Sequence, residues 1–143
     1  MEMYFSATEI LIPQAFFAES SMHIMQGKIT AGLGQAGSFL SREGYRRQFL
    51  ECLGFVPFPG TLNVLLDEPL PPSAPAILIR GFSEGEECFG GCRCYRISIN
   101  GMAAAAIRPE RSRHPPELIE VIAPANLRRK LDLKDGDRVE VII

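Results

Sequence analysis

Two small oxygen-bearing side chains, Thr61 and Asn63, stand at alternate positions in Gly54-Phe55-Val56-Pro57-Phe58-Pro59-Gly60-Thr61-Leu62-Asn63-Val64, which reads as a helix end, a proline-glycine turn and a strand. Strand side chains alternate in direction, so Thr61 and Asn63 share one face and Leu62 and Val64 the other. The apolar pair belongs in a core. The polar pair suits either a cleft or a solvated strand edge. Upstream, Gly32-Leu33-Gly34-Gln35-Ala36-Gly37-Ser38 places three glycines within six residues. Such a loop can bring backbone N–H groups against phosphate oxygens, or simply turn the chain. It lacks the Gly-Lys-Ser/Thr ending of a P-loop. Downstream, Glu120 shares a strand face with Leu118 and Ile122. It is either exposed on a half-buried strand or in need of a partner or ligand.

Two further groups invite chemistry. Cys88, Cys92 and Cys94, with Cys52 or His114 as a fourth member, hint at a metal. The spacing is not a Cys-x2-Cys knuckle, and alternation with Arg93 and Tyr95 also suits a buried strand face. Arg108, Arg111 and Arg113 fall in a basic loop through Pro116, where solvated charge and phosphate contact are both open.

The elements that must position these residues follow from pattern. Met25 to Ala31 reads as the first clear strand. Glu43 to Leu53 shows helical spacing of Tyr45, Phe49, Leu50 and Leu53, with Ser41 as candidate N-cap and Gly54 as the residue that ends the helix. Four prolines within residues 67–76 require a loop. Strands follow at Ala76–Arg80, near Gly91–Ile99, at Met102–Ile107, at Glu117–Ala123 and at Arg138–Ile143, with an acidic turn at Gly81–Glu87. Asn100-Gly101 predicts a hairpin. Pro124 predicts a helix over Ala125–Leu131. Thr8–Ile12 suits a short strand and Ala15–Glu19 a short helix. Many short strands with glycine and proline turns predict a mainly β fold, a small closed barrel with two or three short helices.

The 143 residues suit one domain, and a net charge of −2 gives no general pull toward nucleic acid or an anionic membrane. No apolar run is long enough to span a bilayer. Residues 1–27 contain no Lys or Arg, so a secretory signal is not expected and the cytoplasm is the expected location, with the cysteines reduced.

Four ordered stretches together resemble one family, the archaeal CTP-dependent riboflavin kinases. They are Gly27 to Gly34, Leu53 to Asn63, Glu117 to Pro124, and Leu127-Arg128 with Leu133 to Asp137. The resemblance covers about residues 25–143 and leaves residues 1–24 as an N-terminal extension of unassigned role. It implies a six-stranded cradle-loop barrel of riboflavin-synthase type. It implies phosphorylation of riboflavin to FMN with CTP as donor and Mg²⁺ as cofactor. A monomer acting on small molecules is expected, and the acidic net charge gives no reason to expect nucleic acid. Carried over residue by residue, Thr61 and Asn63 would hold Mg²⁺. Gly32, Leu33, Gly34, Gln35, Ala36 and Gly37, with Ala125, Asn126, Leu127 and Arg128, would contact the nucleotide. Ser112 and Glu120 would face the flavin, and Glu120 would orient the ribityl chain or accept its hydroxyl proton. Gln35 and Ala36 depart from the family's Gly-x-Gly-Glu-Gly loop. That departure keeps open a flavin- or nucleotide-binding module without turnover. The turn at Leu133–Asp137 and the arginines keep open a barrel-type DNA-binding regulator.

Overall fold

Strand alternation sends the apolar residues of this chain to two cores, one inside a barrel and one on its outer surface. The computed structural model describes residues 22–32, 39–110 and 113–143. The expected strand and helix before residue 20, the loop positions Leu33, Gly34, Gln35, Ala36 and Gly37, and Ser112 lie outside the described residues. In chain order the elements are β1 (Ile24–Thr30), α1 (Glu43–Leu53), β2 (Leu62–Leu66), β3 (Ile77–Ile79), β4 (Phe82–Glu84), β5 (Glu87–Phe89), β6 (Cys92–Ile99), β7 (Met102–Pro109), β8 (Leu118–Ile122), α2 (Leu127–Lys130) and β9 (Arg138–Ile142).

The strands run in the order β3-β6-β7-β8-β2-β1-β9, and a β9–β6 pairing closes six of them into an antiparallel barrel with β3 appended to β6. Closure rests on Ser98 opposite Ile142 and Ile99 opposite Val141. The β6–β7 hairpin turns at Asn100 and Gly101, both at positive φ (46° and 84°), as a two-residue turn matching strand twist requires.

Ile29, Leu62, Val64, Ile97, Ile99, Ile119, Val121, Val139 and Val141 fill the barrel. The opposite faces of β6, β7 and β8 send Cys94, Ala105, Ile107 and Ile122 outward, where they meet Tyr45, Phe49 and Leu53 of α1. The run of alanines is thereby explained. Ala104 and Ala106 pack inside and Ala105 outside, so β7 is covered on both faces. Tyr45 and Phe49 are fully buried, each contributing about 1.5–3 kcal/mol of hydrophobic stabilisation. Burial pushes the Tyr45 phenol up to about 12, and its hydroxyl donates to Gly90 O at 2.6 Å.

Several local expectations change. The N-cap of α1 is Arg42, with no side-chain hydrogen bond, rather than Ser41. Gly54 does end the helix, at φ 87°. The Arg96 guanidinium supports that end by donating to Leu53 O (3.2 Å) and Cys52 O (2.7 Å). The acidic turn is instead a hairpin, β4–β5, pairing Phe82 with Phe89 and Glu84 with Glu87. Its two rings stack at 5.1 Å, and Phe82 meets Tyr45 edge-on at 4.6 Å. Arg108 and Pro109 belong to β7 rather than to the basic loop. The last helix starts at Leu127, because the Asn126 side chain accepts the Arg129 N–H and sets the cap there. No helix among the described residues is long and apolar enough to cross a membrane.

Candidate functional site

Prolines build the approach to β2. The Phe58 N–H donates to Ala123 O (2.7 Å) and the Gly60 N–H reaches back to Phe58 O (2.8 Å), closing a three-residue turn around Pro59. Thr61 then stands just ahead of β2. Leu62 and Val64 point into the barrel, so Thr61 and Asn63 take the outer face. Register decides what surrounds them: Asn63 is paired with Thr30 of β1 and Glu120 of β8.

The result is a cluster of three oxygens. Thr61 Oγ1 lies 3.2 Å from Asn63 Oδ1 and 3.3 Å from Glu120 Oε1. Asn63 is 8% exposed and is the buried polar residue among those described. The Thr61 hydroxyl owns one hydrogen, so it cannot serve both acceptors at once. A partly buried group of oxygens with more lone pairs than donors suits a hard cation. On the far side of the carboxylate, His114 Nε2 lies 4.0 Å from Glu120 Oε2.

The backbone beyond β1 closes the cluster. A Cβ on Gly32 would stand 3.0 Å from Asn63 Nδ2 and 3.2 Å from its Cγ and Oδ1. Any larger residue there would press on the amide.

Beside Thr61 lies a cavity of about 140 Å³, lined on one side by Phe58 and Gly60 and on the other by Ala125, Asn126, Leu127 and Arg128. The structure thus brings Thr61 and the segment Ala125–Arg128 to one cavity, with Asn63 and Glu120 adjoining. The four segment residues are not equivalent. The Asn126 side chain is engaged in capping α2. Leu127 is buried in the barrel core, so only its backbone can serve a ligand. Arg128 is held by an ion pair with Asp135, and its Nη2 lies 3.5 Å from Thr30 O.

The cysteines do not join this site. Cys92 and Cys94 lie buried on the outer face of β6, with sulfurs 4.0 Å apart. The hydrogen bond between them draws the Cys92 thiol down, while the same bond and burial push the Cys94 thiol up. The strand-face reading therefore describes these two but not Cys88, which is exposed on β5. Among the described residues no three His, Cys, Asp or Glu side chains gather to hold a metal.

Sequence reasoning missed His114 as the neighbour of Glu120 and Phe58 as a cavity wall. The first depends on how the 113–117 loop folds back on β8. The second could have been suspected from an aromatic residue fixed between two prolines.

Residues 29–143 match the CTP-dep_RFKase family model, described as a domain of unknown function, DUF120. Curated relatives include a riboflavin kinase from Methanocella arvoryzae, 48% identical over 130 residues, which are 90% of this chain and 61% of the relative. Another, from Pyrobaculum aerophilum, is 45% identical over 134 residues, 90% of this chain and 63% of the relative. A third, from Methanosarcina barkeri, is 49% identical over 123 residues, 82% and 55% of the two chains. The chain therefore spans less than two thirds of the length of these relatives. With a family match across nearly the whole barrel, the chain belongs to the CTP-dep_RFKase family.

Proposed function

We propose that this barrel phosphorylates riboflavin to FMN, taking the γ-phosphoryl group of CTP and releasing CDP. The observation that carries the reading is the convergence of Thr61, Asn63 and Glu120 oxygens within 3.2–3.3 Å contacts beside the Ala125–Arg128 cavity. The names of the relatives supply the substrate class.

The residues present fit Mg²⁺. Two ligands side by side in an octahedron of 2.0–2.1 Å bonds lie about 2.9 Å apart, close to the 3.2 Å between Thr61 Oγ1 and Asn63 Oδ1. Both are neutral, which leaves the nucleotide phosphates to supply negative charge. Bound there, Mg²⁺ would neutralise charge on the transferring phosphoryl group. Thr61 and Asn63 would hold the ion, and Gly32 leaves the Asn63 amide free of a side-chain clash. The backbone of Ala125–Arg128 would border the nucleotide.

Glu120 has a separate task. Its Oε1 accepts the Thr61 hydroxyl, so the carboxylate is oriented before any substrate arrives. It would accept a hydrogen bond from the terminal ribityl hydroxyl and aim that oxygen in line with the γ-phosphorus. The O–P bond to riboflavin forms as the bond to the β-phosphate oxygen breaks, and the hydroxyl proton passes to Glu120 or to water. Ser112 would contact the flavin.

Incubation with riboflavin, Mg²⁺ and each of CTP, ATP, GTP and UTP tests the reading. FMN should form with CTP in preference to the others. Binding of CTP and riboflavin without FMN from any nucleotide would overturn the kinase reading in favour of a binding module.

A further inference from the structure

The proline-rich loop and the start of β6 frame a second, larger cavity of about 440 Å³ that the proposed chemistry does not use. It opens at the end of the barrel where β6 begins and β7 ends. Arg93 and Tyr95 share the alternation of Ile97 and Ile99, and Arg108 that of Ala104 and Ala106, so all three continue the barrel's inner face to its mouth. Tyr95 and Leu70 pack on the inner core and form the floor. Pro69, Pro109 and Pro116 supply walls whose backbone φ is fixed, so the cavity is preformed.

Its charge is unusual. Arg93 and Arg108 are direct cross-strand partners, an arrangement in which like charges repel. Arg108 Nη1 donates to Pro115 O (3.0 Å) and Leu118 O (2.9 Å), which fixes the guanidinium without neutralising it. Among the described residues neither arginine has a carboxylate ion-pair partner, although Glu110 also lines the cavity. Two opposed cations over an apolar floor, in a cavity within the roughly 300–1,000 Å³ of small-molecule sites, define a complementary ligand.

We propose that this barrel-mouth cavity binds a small molecule carrying a phosphate group on a flat apolar body. The phosphate lies between Arg93 and Arg108, where a dianion relieves their repulsion and accepts forked N–H donors. The apolar body rests on Tyr95 and Leu70. This site is distinct from the Thr61–Asn63–Glu120 cluster and does not depend on the kinase reading.

The test uses the full chain and NMR titration of backbone amide and arginine Nε signals. The probes are phenyl phosphate, benzoate, inorganic phosphate and the neutral benzyl alcohol. Phenyl phosphate should shift Arg93, Tyr95 and Arg108 and bind more tightly than any of the other three. Arg93→Glu should weaken it by roughly tenfold to a hundredfold, read at Tyr95. Arg93 is exposed, so that variant keeps the fold, and an unchanged amide spectrum elsewhere verifies this. Benzoate binding as tightly would overturn the phosphate assignment, and inorganic phosphate binding as tightly would overturn the apolar body. Phenyl phosphate shifts confined to Thr61, Asn63 and Ala125–Arg128, or unaffected by Arg93→Glu, would overturn the site itself.

Discussion

Where β2 begins, Thr61, Asn63 and Glu120 gather oxygens on the outer face of the barrel; on its inner face, Arg93 and Arg108 gather guanidinium groups at the mouth. Both arrangements are made by cross-strand neighbours, and both leave polar chemistry incompletely answered by the protein. They differ in how they are held. The oxygens crowd around the Thr61 hydroxyl, whose one hydrogen can satisfy either Asn63 Oδ1 or Glu120 Oε1. The arginines are held unequally, Arg108 by two main-chain carbonyls and Arg93 by none among the described residues. An acceptor-rich cluster calls for a cation and a donor-rich one for an anion. The same alternation that fills the barrel therefore sends acceptors to one face and donors to the other.

The comparison breaks first at Asn63. Asn63→Ala should lower FMN formation about a hundredfold or more and sharply raise the Mg²⁺ requirement, measured as initial rates across a Mg²⁺ titration. An unchanged titration would remove Asn63 from the cation's surroundings. At the arginine pair, Arg108→Met should cost about 1–3 kcal/mol by freeing the Pro115 and Leu118 carbonyls, whereas Arg93→Met should stay within about 0.5 kcal/mol. Denaturant melts of the two variants decide whether the arginines are as unequal as their bonds. Equal losses would mean that Arg93 also carries structure.

Gly32→Ala tests the cluster more gently. The new Cβ must shift the Asn63 amide by a few tenths of an ångström, so turnover should fall roughly tenfold with little change in melting temperature. Unaltered turnover would show that the amide position is not critical. The smallest effect lies outside both clusters, at Asp67. Hydrogen bonds from Arg138, at 2.6 and 3.1 Å, hold its carboxyl below the usual range. A lowered folded pKa stabilises the native state above the ordinary carboxylate pKa, and the gain disappears as pH falls through the lowered value. Being exposed, the pair contributes little. Asp67→Asn should slightly lower the melting temperature at pH 7 and leave it unchanged in strong acid.

Much of the fold was legible because alternation is local. The strands around Ile29, Val64, Ile97, Ile119 and Val141, the Asn100-Gly101 turn and the Gly54 helix end all follow from neighbours in sequence. The shared face of Thr61 and Asn63 was legible for the same reason. Their approach to Glu120 was not, because it depends on β2–β8 register between residues 59 apart in sequence. Resemblance to the riboflavin kinases named the same residues without locating them. The β4–β5 hairpin was hidden since its three-residue strands carry no alternation; Phe82 and Phe89 make it by packing near Tyr45. Arg108 looked like loop because a charged strand residue facing inward makes sense only at an open barrel mouth.

In the proposed reading Thr61 and Asn63 hold the cation, with Glu120 beside them. Mn²⁺ substituted for Mg²⁺ in the presence of CTP tests it through paramagnetic broadening of assigned NMR signals. The strongest broadening should fall on the Asn63 side-chain amide and the Thr61 backbone amide, with Tyr95 and Arg93 little affected. Broadening centred on Arg93 and Arg108, or spread evenly over the barrel, would contradict this reading.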